Sequence, residues 1–110
     1  MDITEERDGG IIVLRPTGRI DNDTSAAFQE RLLKGLETGA ALVDFSGVDF
    51  ISSAGLAALM LAAKQAKVQS SRIVVAALPK IVQEIFAISR FDRVVKVFGT
   101  AAEGVAALRS

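Results

Sequence analysis

The chain has 110 residues, half of them hydrophobic and 24% charged, with a mean hydropathy of +0.37. That is enough apolar material for one packed domain and too much for a disordered tail. Thirteen basic residues balance thirteen acidic ones, and Cys and His are both absent. This excludes His- or Cys-based nucleophilic catalysis, thiolate and imidazole metal sites and disulfides, and it argues against a dedicated binder of nucleic-acid phosphates.

Ile3 to Arg7 reads as a short strand, and Asp8-Gly9-Gly10 as a hairpin turn. Ile11 to Thr17 is the second strand. Pro16 lacks a backbone donor, so that part is expected at an edge or at the strand exit. Gly18 to Asp23 is a loop of turn formers. A helix follows, capped by Asp23, Thr24 or Ser25, with Phe28, Leu32 and Leu36 recurring every fourth residue beside Leu33. Gly39 suits its C-terminal stop.

Ala41 to Phe45 is a buried strand, and Ser46-Gly47-Val48-Asp49 a turn before the apolar anchors Phe50 and Ile51. Ser53 is placed to cap a second helix running to about Lys67. That helix is apolar on nearly every side, so it lies deep in the domain or shows an apolar face to a partner. Arg72 to Leu78 is the next strand. Pro79 fits the first position of a third helix with Ile81, Val82, Ile85 and Phe86 on its apolar side. Val94 to Phe98 is the last strand, and Thr100 with Glu103 forms a capping box ahead of a final helix carrying Val105 and Leu108.

The order β-β-α-β-α-β-α-β-α predicts one α/β domain over residues 1–110. Its sheet is mixed and mainly parallel, with four to five strands and four helices, the first strand joining antiparallel through the hairpin. Met1 to Asp8 is polar and acidic, unlike a signal peptide, and the most apolar stretch, Leu56 to Ala63, is far short of the ~20 residues of a membrane span. The expectation is a cytoplasmic protein without membrane insertion.

The zero net charge conceals an asymmetry. Residues 1–50 carry five basic against ten acidic side chains, and residues 51–110 carry eight against three. Two readings are open: halves that attract each other, or opposite faces that steer partners.

Chemistry in such a sheet collects in loops after the strand ends. In the first such loop, Asp21 and Asp23 have the carboxylates for a hard cation, but helix capping accounts for them better. No glycine pattern for phosphate binding is present. In the second, Ser52 and Ser53 open a helix, the usual place for a plain N-cap. Gly55 in the first turn is costly for a helix and would let another chain approach the backbone, and Leu56 is expected to face solvent. A serine in that setting is also a candidate modification site. A phosphate there adds about −1.5 to −2 charges, which the helix N-terminus tolerates and an apolar docking surface does not.

The segment V-D-F-S-G-V-D-F-I-S-S-A-G-L, Val43 to Leu56, resembles the signature of STAS domains, more narrowly of bacterial anti-sigma factor antagonists. Gly18-Arg19-Ile20-Asp21 resembles their G-x-[LI]-D element. The resemblance implies a non-enzymatic protein without cofactor or metal that works by partner switching. Unphosphorylated, it would bind an anti-sigma factor that is also a serine kinase of the histidine-kinase-like ATPase fold, and so free a sigma factor. Phosphorylation would release it, and a metal-dependent serine phosphatase would reset it. The modified serine maps onto Ser53, with Ser52 as second candidate. Asp21, Asn22, Ser52, Ala54, Gly55 and Leu56 would form the partner surface. The chain departs from the best-known members in carrying Ser52 where they have aspartate, and Ala57 and Ala58 where many have an arginine and a bulky apolar residue. The alternative is a non-switching STAS subunit of a lipid-transport or signalling scaffold complex.

Overall fold

The computed structural model describes residues 1–109. In chain order these form β1 (Asp2–Asp8), β2 (Ile11–Ile20), α1 (Ser25–Leu36), β3 (Ala40–Asp44), β4 (Gly47–Ile51), α2 (Ser53–Val68), β5 (Ile73–Ala76), α3 (Lys80–Ser89), a 3-10 turn (Phe91–Arg93), β6 (Lys96–Phe98) and α4 (Ala101–Arg109). The strand order is β1-β2-β3-β5-β6, with β4 attached to β2. All pairings are parallel except β1 with β2, which the hairpin at Gly9 and Gly10 makes antiparallel as expected.

The strands carry their burial in two alternating sets. Ile12, Leu14, Ala41, Val43, Ile73 and Val75 face a core built with α1, α2 and α3. Ile11, Val13, Leu42, Val74 and Ala76 face the opposite side, where Leu108 of α4 covers them. Period-two alternation with both faces apolar is how a sheet sandwiched between helices reads. Phe28, Phe45, Phe86 and Phe91 run edge-to-face through the larger core, with centroids 6.5, 5.9 and 5.4 Å apart.

The α/β class, the four helices and the mainly parallel sheet are as expected, but the strand count is six. Residues 47–51, read as a turn and two anchors, form β4. β2 is ten residues long and changes neighbour along its length. Ile11 to Leu14 pair with β3, and Thr17 to Ile20 pair with β4. Pro16 therefore sits inside a strand and not at its exit. It lies between the two parallel pairings, where β2 has no ladder partner on that side. Gly39 closes the loop after α1 with φ +146°, and a Cβ there would come within 2.2 Å of the Gly10 carbonyl oxygen.

Three other boundaries move. β5 ends at Ala76 because Ala77 turns left-handed, with φ 59°. Pro79 is the N-cap of α3, one place ahead of the helix proper. The 3-10 turn engages Val94 and Val95 through the Phe91 carbonyl, delaying β6 to Lys96. The Thr100 hydroxyl accepts from the Glu103 N–H at 3.1 Å and donates to its carboxylate, which is half of the anticipated box.

The charged halves do not neutralise each other by contact. Arg7, Arg15, Arg19 and Arg31 all pair with acids of their own half, and Arg109 with Asp8 is the one pair across the halves among the described residues. Asp44 is the one buried charged residue of the described core. It accepts from Arg15 Nε at 3.2 Å and from the Ser46 N–H at 2.9 Å.

Candidate functional site

Parallel pairing of Ile20 with Ile51 brings the ends of β2 and β4 side by side. The loops that follow both strands therefore leave from one edge of the sheet, the usual location for sites in parallel sheets. The Ser52 N–H donates to the Ile20 carbonyl at 2.8 Å and ties the two loops together. α1 and α2 both begin there, so the Asp21 loop and the two serines share one end of the molecule.

The Asp21 carboxylate is occupied locally. Its Oδ1 accepts from the N–H groups of Asp23 at 3.0 Å and Thr24 at 3.3 Å. Thr24 in turn donates to the Arg19 carbonyl at 2.9 Å and accepts from the Asp21 N–H at 2.9 Å. The carboxylate thus fixes the turn into α1, as the capping reading holds. Asn22 and Asp23 project to solvent. Among the described residues no group of three or more acidic side chains could hold a metal ion.

The two serines have different duties. The cap of α2 is Ser52, not Ser53: its Oγ accepts from the Gly55 N–H at 3.3 Å, and its backbone is extended, with ψ 174°. Ser53 is the first helical residue. It is exposed, and its hydroxyl has no hydrogen-bond partner among the described residues.

Gly55 is buried, and the space a side chain would need is taken by this chain itself. A Cβ there would lie 2.7 Å from Ile20 Cγ2 and 2.7 Å from Ile51 Cγ1. Its smallness answers to the junction of β2, β4 and α2, not to the approach of another chain. Leu56, expected to face solvent, is half-buried and packs on the larger core. The exposed face of α2 instead runs from Ser53 through Ala57, Leu61 and Lys64 to Val68. Leu61 is 45% and Val68 78% exposed. The helix thus does both things its composition allowed: it buries Ala58, Leu59, Ala62 and Ala66 and presents an outward strip that is apolar but for Ser53 and Lys64.

Two residues missed in the sequence lie beside this edge. Arg19 and Phe50 are partners across β2 and β4, next to a register shift between Gly18 and Arg19. The guanidinium sits 4.5 Å from the Phe50 ring centroid, and its Nε is 3.8 Å from Asp21 Oδ2.

The family model described as "Mlab, STAS domain" matches residues 3–97. A protein named as an anti-sigma factor antagonist, BtrV of Bordetella bronchiseptica, is 26% identical over 112 residues, covering all of this chain and 97% of its own. The crystal structure of an anti-sigma factor antagonist from Mycobacterium paratuberculosis superimposes with a TM-score of 0.90 at 21% identity, covering 99% of this chain and 94% of that one. The anti-sigma factor antagonist SpoIIAA, solved in its unphosphorylated form, superimposes with a TM-score of 0.83 at 14% identity over 98% and 96% of the two chains.

Proposed function

The chain belongs to the STAS domain family, and from that premise we propose that it acts as an anti-sigma factor antagonist switched by phosphorylation of Ser53. Its partner in this reading is an anti-sigma factor with serine-kinase activity, which it binds through the exposed strip of α2 and the Asp21–Asn22 loop. A bound kinase is withdrawn from its sigma factor, and transcription by that sigma factor resumes.

One observation carries the choice of residue. Ser52 is held as the helix cap, whereas Ser53 offers an exposed, unpartnered hydroxyl one position later. Transfer would proceed by attack of Ser53 Oγ on the γ-phosphorus of ATP in the kinase site. The new O–P bond forms as the bond to the β–γ bridging oxygen breaks. The hydroxyl proton passes to a base of the kinase, and ADP leaves.

The product fits its surroundings in one state only. At the first position of α2 the phosphate meets free N–H groups and the positive end of the helix dipole, so the fold is retained. On a largely apolar strip the same charge opposes docking, because it must be desolvated when a partner covers it. The protein itself catalyses nothing in this scheme, and a metal-dependent phosphatase restores the hydroxyl. The test is incubation with the cognate kinase and ATP. One added phosphate located on Ser53 supports the reading, and unchanged incorporation into Ser53→Ala removes it.

A further inference from the structure

We propose that the groove between the C-terminal half of α2 and the β5–β6 side of the sheet binds a small amphiphilic carboxylate of medium chain length. This rests on a different part of the molecule from the switch. Lys67 lies fourteen residues along α2 from Ser53, roughly 21 Å at the helical rise.

Size, lining and charge each constrain the ligand. The groove is a half-open cleft of about 200 Å³. That is about seven water volumes at ~30 Å³ each, below the ~300 Å³ at which drug-sized sites begin. Two acyl chains of a membrane lipid do not fit, and a single chain of about eight carbons does. The floor is made by Ala66, Ile73 and Val95, all buried, with Val94 at the rim left 37% exposed.

Three cations, Lys67, Arg72 and Lys96, line the groove, and no carboxylate does. None of the three takes part in an ion pair among the described residues. Arg72 donates to the Ala107 carbonyl of α4 at 2.8 Å, which draws its guanidinium toward the opposite face of the sheet and leaves Lys67 and Lys96 as the unengaged cations of the groove among the described residues. The last carbonyls of α2 have backbone partners of their own: Gln65 accepts from Gln69, Ala66 from Ser71 and Lys67 from Ser70. The lysine ammonium groups are therefore not needed to satisfy the helix end. Part of the unneutralised positive charge of residues 51–110 thus gathers over an apolar floor. That is the arrangement that takes a carboxylate by its head and a hydrocarbon chain by its body.

The experiment is an amide chemical-shift titration of the ¹⁵N-labelled protein with octanoate, acetate and octan-1-ol. Octanoate is expected to give saturable shifts grouped on residues 63–74 and 94–96. Acetate lacks the buried methylenes, and octan-1-ol lacks the charge, so each should bind at least about tenfold more weakly. The double variant Lys67→Glu/Lys96→Glu should lose octanoate binding by at least about tenfold while keeping the dispersed spectrum of the folded protein. A second variant, Ala63→Leu, should weaken binding by filling the groove without altering its charge. Octanoate shifts that do not saturate, or that scatter over the surface, would overturn the proposal. Equal binding of octan-1-ol, or retained octanoate affinity in a folded double variant, would do the same.

Discussion

The backbone N–H of Ser52 donates to the carbonyl of Ile20 at 2.8 Å, and this bond fixes where α2 begins. With its backbone held there, Ser52 is left extended, and its hydroxyl turns onto the Gly55 N–H. Ser53 is thereby pushed into the helix with its own hydroxyl outward.

The two serines should separate cleanly on substitution. Ser52→Ala removes a cap and is expected to cost about 1 kcal/mol, a drop in Tm of roughly 4 °C. Ser53→Ala should leave Tm within about 1 °C of wild type and abolish phosphate incorporation. Thermal unfolding followed by circular dichroism, with mass mapping after kinase treatment, reads both. A reversed pattern would mean that Ser52 is the acceptor.

Leu61 tests the outward strip of α2 apart from the serine. It is 45% exposed, so Leu61→Asp should change stability by no more than about 0.5 kcal/mol. It should nevertheless weaken capture of the kinase partner by more than about tenfold, because the charge must be desolvated on docking. Affinity chromatography from native lysate, with the recovered kinase quantified, makes the measurement. Undiminished capture would move the interface off this face.

Gly55→Ala separates a packing role from a contact role. Helix propensity alone favours alanine by about 1 kcal/mol. The 2.7 Å approaches to Ile20 and Ile51 oppose this, and overpacking of that kind costs about 1–3 kcal/mol. A net loss of stability in urea unfolding is the expected result. A variant of wild-type stability that no longer binds its partner would instead restore the idea that another chain approaches this backbone.

Arg15 supports a buried charge, and its removal should be felt at every accessible pH. Its guanidinium is held above its ordinary range by the hydrogen bond to Glu6, opposed by partial burial and reinforced by attraction to Glu6 and Asp44. A base whose pKa is raised on folding contributes fully below its unfolded value and loses that contribution only above it. Here that window lies far on the alkaline side, so the guanidinium adds no titration near neutrality. Arg15→Met strands the Asp44 carboxylate and should cost about 2 kcal/mol, a value moderated by Arg15 being partly exposed. The difference from wild type should stay flat between about pH 6 and 9 in denaturant titrations.

Much of this arrangement was legible because the chain repeats its instructions locally. Ile11 to Leu14 and Ile73 to Ala76 are apolar on both sides, and Phe28, Leu32 and Leu36 keep one helical stripe. What escaped depends on distant partners. Ser46-Gly47-Val48-Asp49 has the composition of a turn, and Gly47 to Ile51 become a strand only because the second half of β2, some thirty residues earlier, offers them a ladder. The Arg19–Phe50 pair inherits that concealment, since it exists only once β4 does. Two adjacent serines are equivalent as caps in a one-dimensional reading. The choice between them was made by the Ile20 carbonyl, which periodicity does not see.

The change of neighbour along β2 has a kinetic consequence. Ile11 to Leu14 are flanked by strands on both sides, and Thr17 to Ile20 depend on β4, the segment that launches the serine-bearing helix. Amide hydrogens of Ile11 to Leu14 should therefore exchange only through global opening, while those of β6, at the margin of the sheet, exchange through local fluctuations. β4 runs directly into α2 at Ser52, so the serine-bearing helix is tethered to β2 through the ladder of Thr17 to Ile20. A phosphate placed on Ser53 would thus be carried by a platform that stays folded.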